Sequence, residues 1–253
     1  PLSLDQIKQI EKGTDFIYER DRKGFKKLKN FSIDHYHTYR HNFSLIDLYR
    51  DHYSHKTDLE RYNQSQAQKH TITHNTINRI SGTTGNDGSL YQEISHYYPE
   101  KSVFYSWIKT DCFELVELQE IFNQIALAGF GKNKHTGKGH FSIEIEDANP
   151  SLFNLPDANA WLLLSNCVPS ANDSTQVFYN SKVKFPKLGG FKALTDSPFK
   201  YPVFMFTPGT VFIGKQAPTG SILENIHPFQ PEVVQNLCAF TLPLRLNEVN
   251  DEH

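Results

Sequence analysis

The residues best suited to chemistry in this chain are glycines and lysines, not paired acids or an activated nucleophile. Gly129-Phe130-Gly131-Lys132-Asn133-Lys134-His135-Thr136-Gly137-Lys138-Gly139-His140-Phe141 carries three lysines and two histidines and no acid. Glycine lets backbone amides approach a ligand closely and tolerates positive φ. Lysines beside those amides add charge, and Thr136 adds a hydroxyl. Such a loop can hold the phosphate backbone of a single RNA strand without reading its bases. It is not a nucleotide-triphosphate loop. Gly131 and Gly137 are separated by five residues rather than four, and Gly139 follows Lys138 where a magnesium-binding Ser or Thr belongs. Nor is it a dinucleotide fingerprint, which needs a third glycine and must precede a helix.

A second acid-free basic stretch is RYNQSQAQKHTITHNTINRISGTTG, residues 61–85, with Arg61, Lys69, Arg79, His70 and His74. Its small polar residues suit phosphate contacts, and His74, Asn75, Asn78 and Arg79 are the candidates for a second wall beside the glycine loop. Eight of the twelve histidines lie before residue 100, and His35, His37 and His41 form an H-x-H-x-x-x-H run. No cysteine or spaced carboxylate pair accompanies that run, so surface or groove residues are expected there and not a metal site. Asp111, Glu114, Glu117 and Glu120 follow helical spacing and read as a solvated face. There is no Gly-x-Ser-x-Gly elbow and no carboxylate pair at acid/base spacing.

Whole-chain properties narrow the classes. The 253 residues are 38% hydrophobic and 13% aromatic, enough for one or two real cores and too apolar for a disordered tail. Lys plus Arg (26) nearly balances Asp plus Glu (28), so any affinity for nucleic acid must be local. Nothing approaches ~18 consecutive apolar residues, so no spanning helix and no membrane partner are expected. The opening PLSLDQIKQIEKG lacks the apolar region of a signal peptide. Cys112, Cys167 and Cys238 form neither a disulfide framework nor a zinc spacing. A cytoplasmic protein without cofactors is the expectation. The only methionine is Met205, so an initiating segment is expected to be missing.

The elements that must position the loop are legible in part. Residues 4–20 suggest a short helix, Lys29–His35 a strand and residues 42–60 a short helix. Val103–Lys109 (VFYSWIK) is aromatic and β-branched and reads as a strand. There Phe104, Tyr105 and Trp107 could stack bases, but the two on the inner face are expected in the core and the third exposed or at an interface. In 113–127, Leu115, Leu118, Ile121, Phe122 and Ile125 share one face, which predicts an amphipathic helix ended by Gly129. Phe141, Ile143 and Ile145 alternate with polar residues as a half-buried strand does. Further strands are expected at Trp161–Asn166, Val177–Phe185, Tyr201–Phe206, Thr210–Gly214 and Cys238–Leu244, with Phe204 and Phe206 in the core. This order fits an α+β, ferredoxin-like sandwich of antiparallel sheet with packed helices.

The Gly-x5-Gly-x-Gly pattern between a helix and a strand resembles the signature loop of the RAMP superfamily of CRISPR proteins, whose domains look like modified RNA-recognition domains. Taken in order, HNTINRISGTTGNDGSLYQE, ELQEIFNQIALAGFGKNKHTGKGHFSIE and ANAWLLLSN resemble the subunit-four family of the type III-A Csm effector complex. The resemblance covers roughly residues 70–215 and, more weakly, 25–50 and 238–244. It implies two ferredoxin-like units: the remainder of an N-terminal one in 1–70, lacking its first strand and helix, and a C-terminal one in 71–253. It further implies a non-catalytic subunit that caps the 5′ handle of the crRNA. Its partners would be the large polymerase-like subunit and the backbone RAMP subunit. The RNA-binding set carried over is Gly129, Gly131, Lys132, Asn133, Lys134, His135, Thr136, Gly137, Lys138, Gly139 and His140, with His74, Asn75, Asn78 and Arg79. His140 stands where relatives often carry arginine, so a phosphate contact there requires a protonated imidazole. Two rivals stand beside this reading. One is a RAMP endoribonuclease using His35, His37 or His41 on the 2′-OH, although such enzymes carry the glycine loop near the chain end. The other is the capping subunit of another type III complex.

Overall fold

The computed structural model describes residues 32–54, 67–84, 90–100, 102–131 and 133–246, together with Lys8 and Lys12. Its contacts divide the chain into two compact units, Pro1–Glu19 with Tyr49–Cys112 and Arg20–Leu48 with Phe113–His253. The helix expected over 4–20 lies outside the described residues apart from Lys8 and Lys12. In chain order the elements are α1 (Ile33–Tyr39), α2 (Leu45–Ser54), β1 (Gln68–Asn75), β2 (Leu90–Tyr97) and α3 (Leu115–Ala128). Eight strands follow: β3 (Ala160–Leu163), β4 (Val177–Phe178), β5 (Ser181–Lys184), β6 (Val203–Phe206), β7 (Val211–Ile213), β8 (Gly220–Leu223), β9 (Gln235–Cys238) and β10 (Thr241–Leu244). The fold is α+β, with few helices and antiparallel strand pairs throughout. No helix among the described residues is long and apolar enough to cross a membrane.

In the first unit β1 and β2 form an antiparallel hairpin in which Ile72 faces Glu93 and His74 faces Tyr91. Strand alternation divides it into two faces. Ile72, His74, Glu93 and Ser95 are half-buried, whereas Thr71, Thr73, Gln92 and Ile94 are exposed. This hairpin was not foreseen, because 61–75 reads as a polar loop until its Thr and Ile residues acquire a ladder partner.

The second unit is built on a four-stranded sheet of order β10-β3-β7-β4. Its central strand β3 is the wholly apolar Ala160-Trp161-Leu162-Leu163, as a strand covered on both faces must be. Leu163, Cys167 and Phe212 form a buried cluster against which Trp161, Val177 and Phe206 pack. The two-stranded β5–β6 and β8–β9 pairs are joined by a second cluster of Val203, Met205 and Leu237. Helix α1 is tied to the β10 edge by polar groups. Tyr36 Oη lies 2.9 Å from the Pro243 carbonyl and 3.1 Å from that of Leu152. The buried Arg40 donates from Nη1 to Ser151 O at 2.6 Å.

Four expectations are corrected. The strand at Lys29–His35 is not formed where the chain is described; Ile33–Tyr39 is a helix. Ser32 stands at its start and accepts the His35 amide, and that cap outweighs the β-preference of the flanking aromatics. The strands expected at 103–109 and 141–146 carry no ladder. Alternation is a necessary sign of a half-buried strand, but without a neighbour its amides do not form a sheet. In 103–109 Phe104 and Tyr105 are exposed and only Trp107 is half-buried. Phe104 rests edge-on against Tyr98 with ring centroids 4.5 Å apart. Finally, Phe204 is not a core residue. In Val203-Phe204-Met205 the two flanking residues are 5% and 3% exposed, and strand alternation turns Phe204 outward.

The turn before β8 depends on a carboxylate. Asp173 Oδ1 accepts the Thr219 amide at 2.8 Å, and Oδ2 accepts the amides of Ser170 at 2.8 Å and Gly220 at 3.0 Å. Partial burial pushes this carboxyl upward, but the amides of Thr219, Ser170 and Gly220 and the Ser170 hydroxyl outweigh it. They hold the group below the ordinary aspartate range. A depressed folded value stabilises the fold above the unfolded pKa, and that contribution disappears as pH falls through the folded value. Asp173→Asn is therefore expected to cost about 1–3 kcal/mol at pH 7. The wild-type advantage should shrink progressively below about pH 4, measured by urea unfolding across that range. An equal cost at pH 7 and pH 3 would contradict the assignment.

Candidate nucleic-acid interface

The glycine loop begins where α3 stops. Glu114 precedes α3, and its amide donates to Glu117 Oε2 at 2.9 Å, closing the first turn. Leu118 and Ala126 are buried and Phe122 and Ile125 half-buried, so the apolar stripe is real. Leu115 and Ile121, expected on that stripe, are exposed. Gln119 Nε2 reaches the Ile143 carbonyl at 3.3 Å, which fixes the returning chain beside the helix. Gly129 ends α3 at φ 78°, as expected from its position.

The loop then closes on its own backbone. The Phe130 amide donates to Gly139 O at 2.9 Å. A short 3-10 turn spans Lys134–Thr136, and Asn133 O accepts the Thr136 amide at 3.0 Å and the Thr136 hydroxyl at 2.8 Å. Lys134, Thr136, Lys138 and His140 are exposed. Lys132 lies outside the described residues, as does the side chain of His135. Phe130, which the sequence reading passed over, is exposed at the base of the loop.

This geometry divides the glycines. A Cβ on Gly139, at φ 80°, would run into the Phe130 carbonyl, so this glycine serves the loop's own closure. Gly131 and Gly137 also have positive φ, but nothing stands within 4 Å of the position a Cβ would take. The Gly137 amide, however, already donates to Lys134 O at 3.3 Å, so of the three only Gly131 leaves its backbone open. The Thr136 hydroxyl proton is likewise committed to Asn133 O, so Thr136 can accept but not donate while the loop keeps this form. Because the loop follows a helix C-terminus, the partial negative charge of the helix end works against a phosphate. The lysines must supply the attraction.

The second candidate segment belongs to the other compact unit. His74 stacks on Tyr91 with ring centroids 5.1 Å apart. Its Nε2 lies 3.4 Å from Glu93 Oε2, an ion-pair distance without hydrogen-bond alignment. Asn75 pairs with Leu90 on the exposed face. Asn78 is a turn-former: its Oδ1 accepts the Ile80 amide at 2.9 Å and the Ser81 amide at 3.3 Å. Arg79 is exposed on that turn and makes no ion pair among the described residues. The stretch is acid-free along the chain but not in space, because pairing brings Glu93 against His74.

His35 and His37 are two residues apart on a seven-residue helix, which points them about 200° apart around its axis. His41 lies beyond the helix, where its Nε2 accepts from Arg40 Nε at 3.2 Å. No group of three or more His, Cys, Asp or Glu side chains able to hold a metal ion occurs among the described residues. A cavity of about 50 Å³ lined by Asn166, Lys184, Pro186, Val203, Met205, Gln235 and Leu237 has room for water but not for a nucleotide. No protein-family model matches this chain, and no curated protein matches it.

The two kinds of glycine separate by experiment. Gly137→Ala is expected to cost only the left-handed backbone strain, roughly 1–2 kcal/mol. Gly139→Ala adds a collision with Phe130 O and is expected to cost clearly more, by chemical denaturation of the full chain. Equal losses would mean that the Phe130–Gly139 closure does not hold the loop.

Proposed function

We propose that this chain is a non-catalytic RNA-binding subunit, gripping the backbone of a single RNA strand with the loop 129–141. One observation carries this reading. The loop closes through its own Phe130–Gly139, Asn133–Thr136 and Gly137–Lys134 bonds, and thereby presents Lys134, Lys138 and His140 outward beside the uncovered backbone of Gly131. A loop that keeps its shape without a ligand loses little conformational freedom on binding one, so more of the charge attraction survives as affinity. Backbone amides and lysines recognise phosphate rather than base edges, so binding would be tolerant of sequence.

The finer reading rests on the resemblance of the three ordered motifs. In it the chain is a RAMP protein with ferredoxin-like units, the subunit four of a type III-A CRISPR effector. It caps the 5′ handle of the crRNA and links it to the large polymerase-like subunit and the backbone subunit, in antiviral defence. The α+β architecture with antiparallel sheets is compatible with that reading. The endoribonuclease alternative gains nothing from the histidine run, whose members point in different directions and have local partners.

Replacing Lys132, Lys134 and Lys138 together by alanine tests the loop. Each lost phosphate contact on a single strand lowers the slope of log K against log salt by about 0.7, so a fall of about 2 is expected. The measurement is a salt titration of binding to a 5′-handle RNA by the full chain. An unchanged slope would remove the loop from the interface.

A further inference from the structure

The segment 141–146, which carries no ladder, has a complement elsewhere in the second unit. Its Ile143 and Ile145 are half-buried, whereas Ser142, Glu144 and Glu146 are exposed, which is the burial of a strand with one face covered. Gln119 of α3 donates to the Ile143 carbonyl, so the helix takes one edge of this segment. In an extended chain the main-chain groups of Ser142, Glu144 and Glu146 then point to the other edge. Among the described residues no backbone hydrogen bond reaches them.

The complement is the free edge of β5, whose strand partner among the described residues is β6 alone. Phe206 of β6 exchanges amide and carbonyl bonds with Cys167, at 2.8 and 3.1 Å, so its main chain points away from β5. Ser181, opposite Phe206, therefore points its own main chain outward, and Val183 does the same by strand alternation. Every residue of β5 is exposed. Lys182 and Lys184 lie on the ribbon face of Met205 and Val203, and Val183 lies on the face of Phe204. Neither these two lysines nor Glu144 and Glu146 make an ion pair among the described residues. Lysines on an open edge repel another basic edge, which guards against indiscriminate pairing. The same lysines admit an acidic strand.

We propose that the β5 edge of one copy takes up residues 141–146 of a second copy as an added parallel strand. With Glu144 beside Lys182, Ile145 falls beside Val183 and Glu146 beside Lys184. Opposite charges then meet on one face and apolar side chains on the other. The direction follows from the main chain. Glu144 points its amide and carbonyl toward the added neighbour, whereas Lys182 points its own toward β6. Opposite residues of an antiparallel pair point both inward or both outward, so only a parallel pair fits. In it the Glu144 amide donates to Ser181 O and its carbonyl accepts the Val183 amide. One sequence supplies both halves of the match, and within a single copy the two are not paired. The contact is head-to-tail, since its two sides differ, and it closes into a ring or runs on. It stands apart from the RNA reading.

The test is sedimentation velocity of the full chain, with folding of each variant checked by thermal melting. The wild type is expected to self-associate as its concentration rises, and less so at high salt. Lys182→Glu with Lys184→Glu, and separately Glu144→Lys with Glu146→Lys, are each expected to weaken association at least about tenfold through like-charge contact. Mixing the two variants recreates opposite charges, so association should return between unlike partners. The variant carrying all four changes should again associate with itself. Val183→Pro removes an outward amide, leaves the β6 ladder intact and should also abolish association. A wild type that stays monomeric up to its solubility limit would overturn the proposal. So would reversed variants that associate like the wild type, or a mixture that stays dissociated. Association that survives Val183→Pro would equally rule out an added strand.

Discussion

The second unit depends on how the edge strand β10 is covered. Its main chain pairs with β3 on one side, and on the other it would offer unpaired groups to any passing strand. Residues 40–43 close that edge. The Arg245 amide donates to Arg40 O at 2.8 Å, and the Phe43 amide donates to Arg245 O at 2.8 Å. Pro243 cannot donate a ladder bond, but its carbonyl receives the Tyr36 hydroxyl. Asn159 completes the seam: its Oδ1 accepts the Leu246 amide at 2.7 Å, and its Nδ2 donates to Leu246 O at 3.0 Å. Segments about two hundred residues apart in the chain are thus held by groups that have no other outlet. Burial of Tyr36 in this seam pushes its phenol up, against the opposing effect of Arg40.

That closure leaves the rest of the unit free to carry exposed features. The sheet core around Leu163, Cys167 and Phe212 takes Phe206 of β6 against it but draws no residue from the glycine loop. Burial, with smaller contributions from Asp173 and Cys238, pushes the Cys167 thiol up to about 11.

Much of the architecture was legible from local pattern. The stripe of Leu118, Phe122 and Ile125 placed α3, and Gly129 marked its end, because helix periodicity and a left-handed cap are written within a few residues. The strands around 160, 203, 211 and 241 were read from β-branched and aromatic runs. The failures share a physical cause. A strand exists only with a neighbour, and alternation at 141–146 could not reveal that no ladder forms there. Conversely, the polar-looking 68–75 became a strand once 90–97 paired with it. β8 was missed because Gly-Ser-Ile-Leu is too short to show a period, and it is held by the Asp173 turn instead.

The candidate site divides along the same line. Composition alone determined that residues 129–141 are basic, glycine-rich and acid-free, since these are properties of the chain in any conformation. Which glycines stand open and which face the loop itself required coordinates, because a Cβ would meet Phe130 O at Gly139 and open space at Gly137. Glu93 beside His74 is a matter of hairpin register, set by pairing across a turn. The exposure of Phe204 follows from which side of a two-stranded ribbon meets Val203 and Met205. Those three outcomes are long-range packing decisions, which no window of neighbouring residues contains.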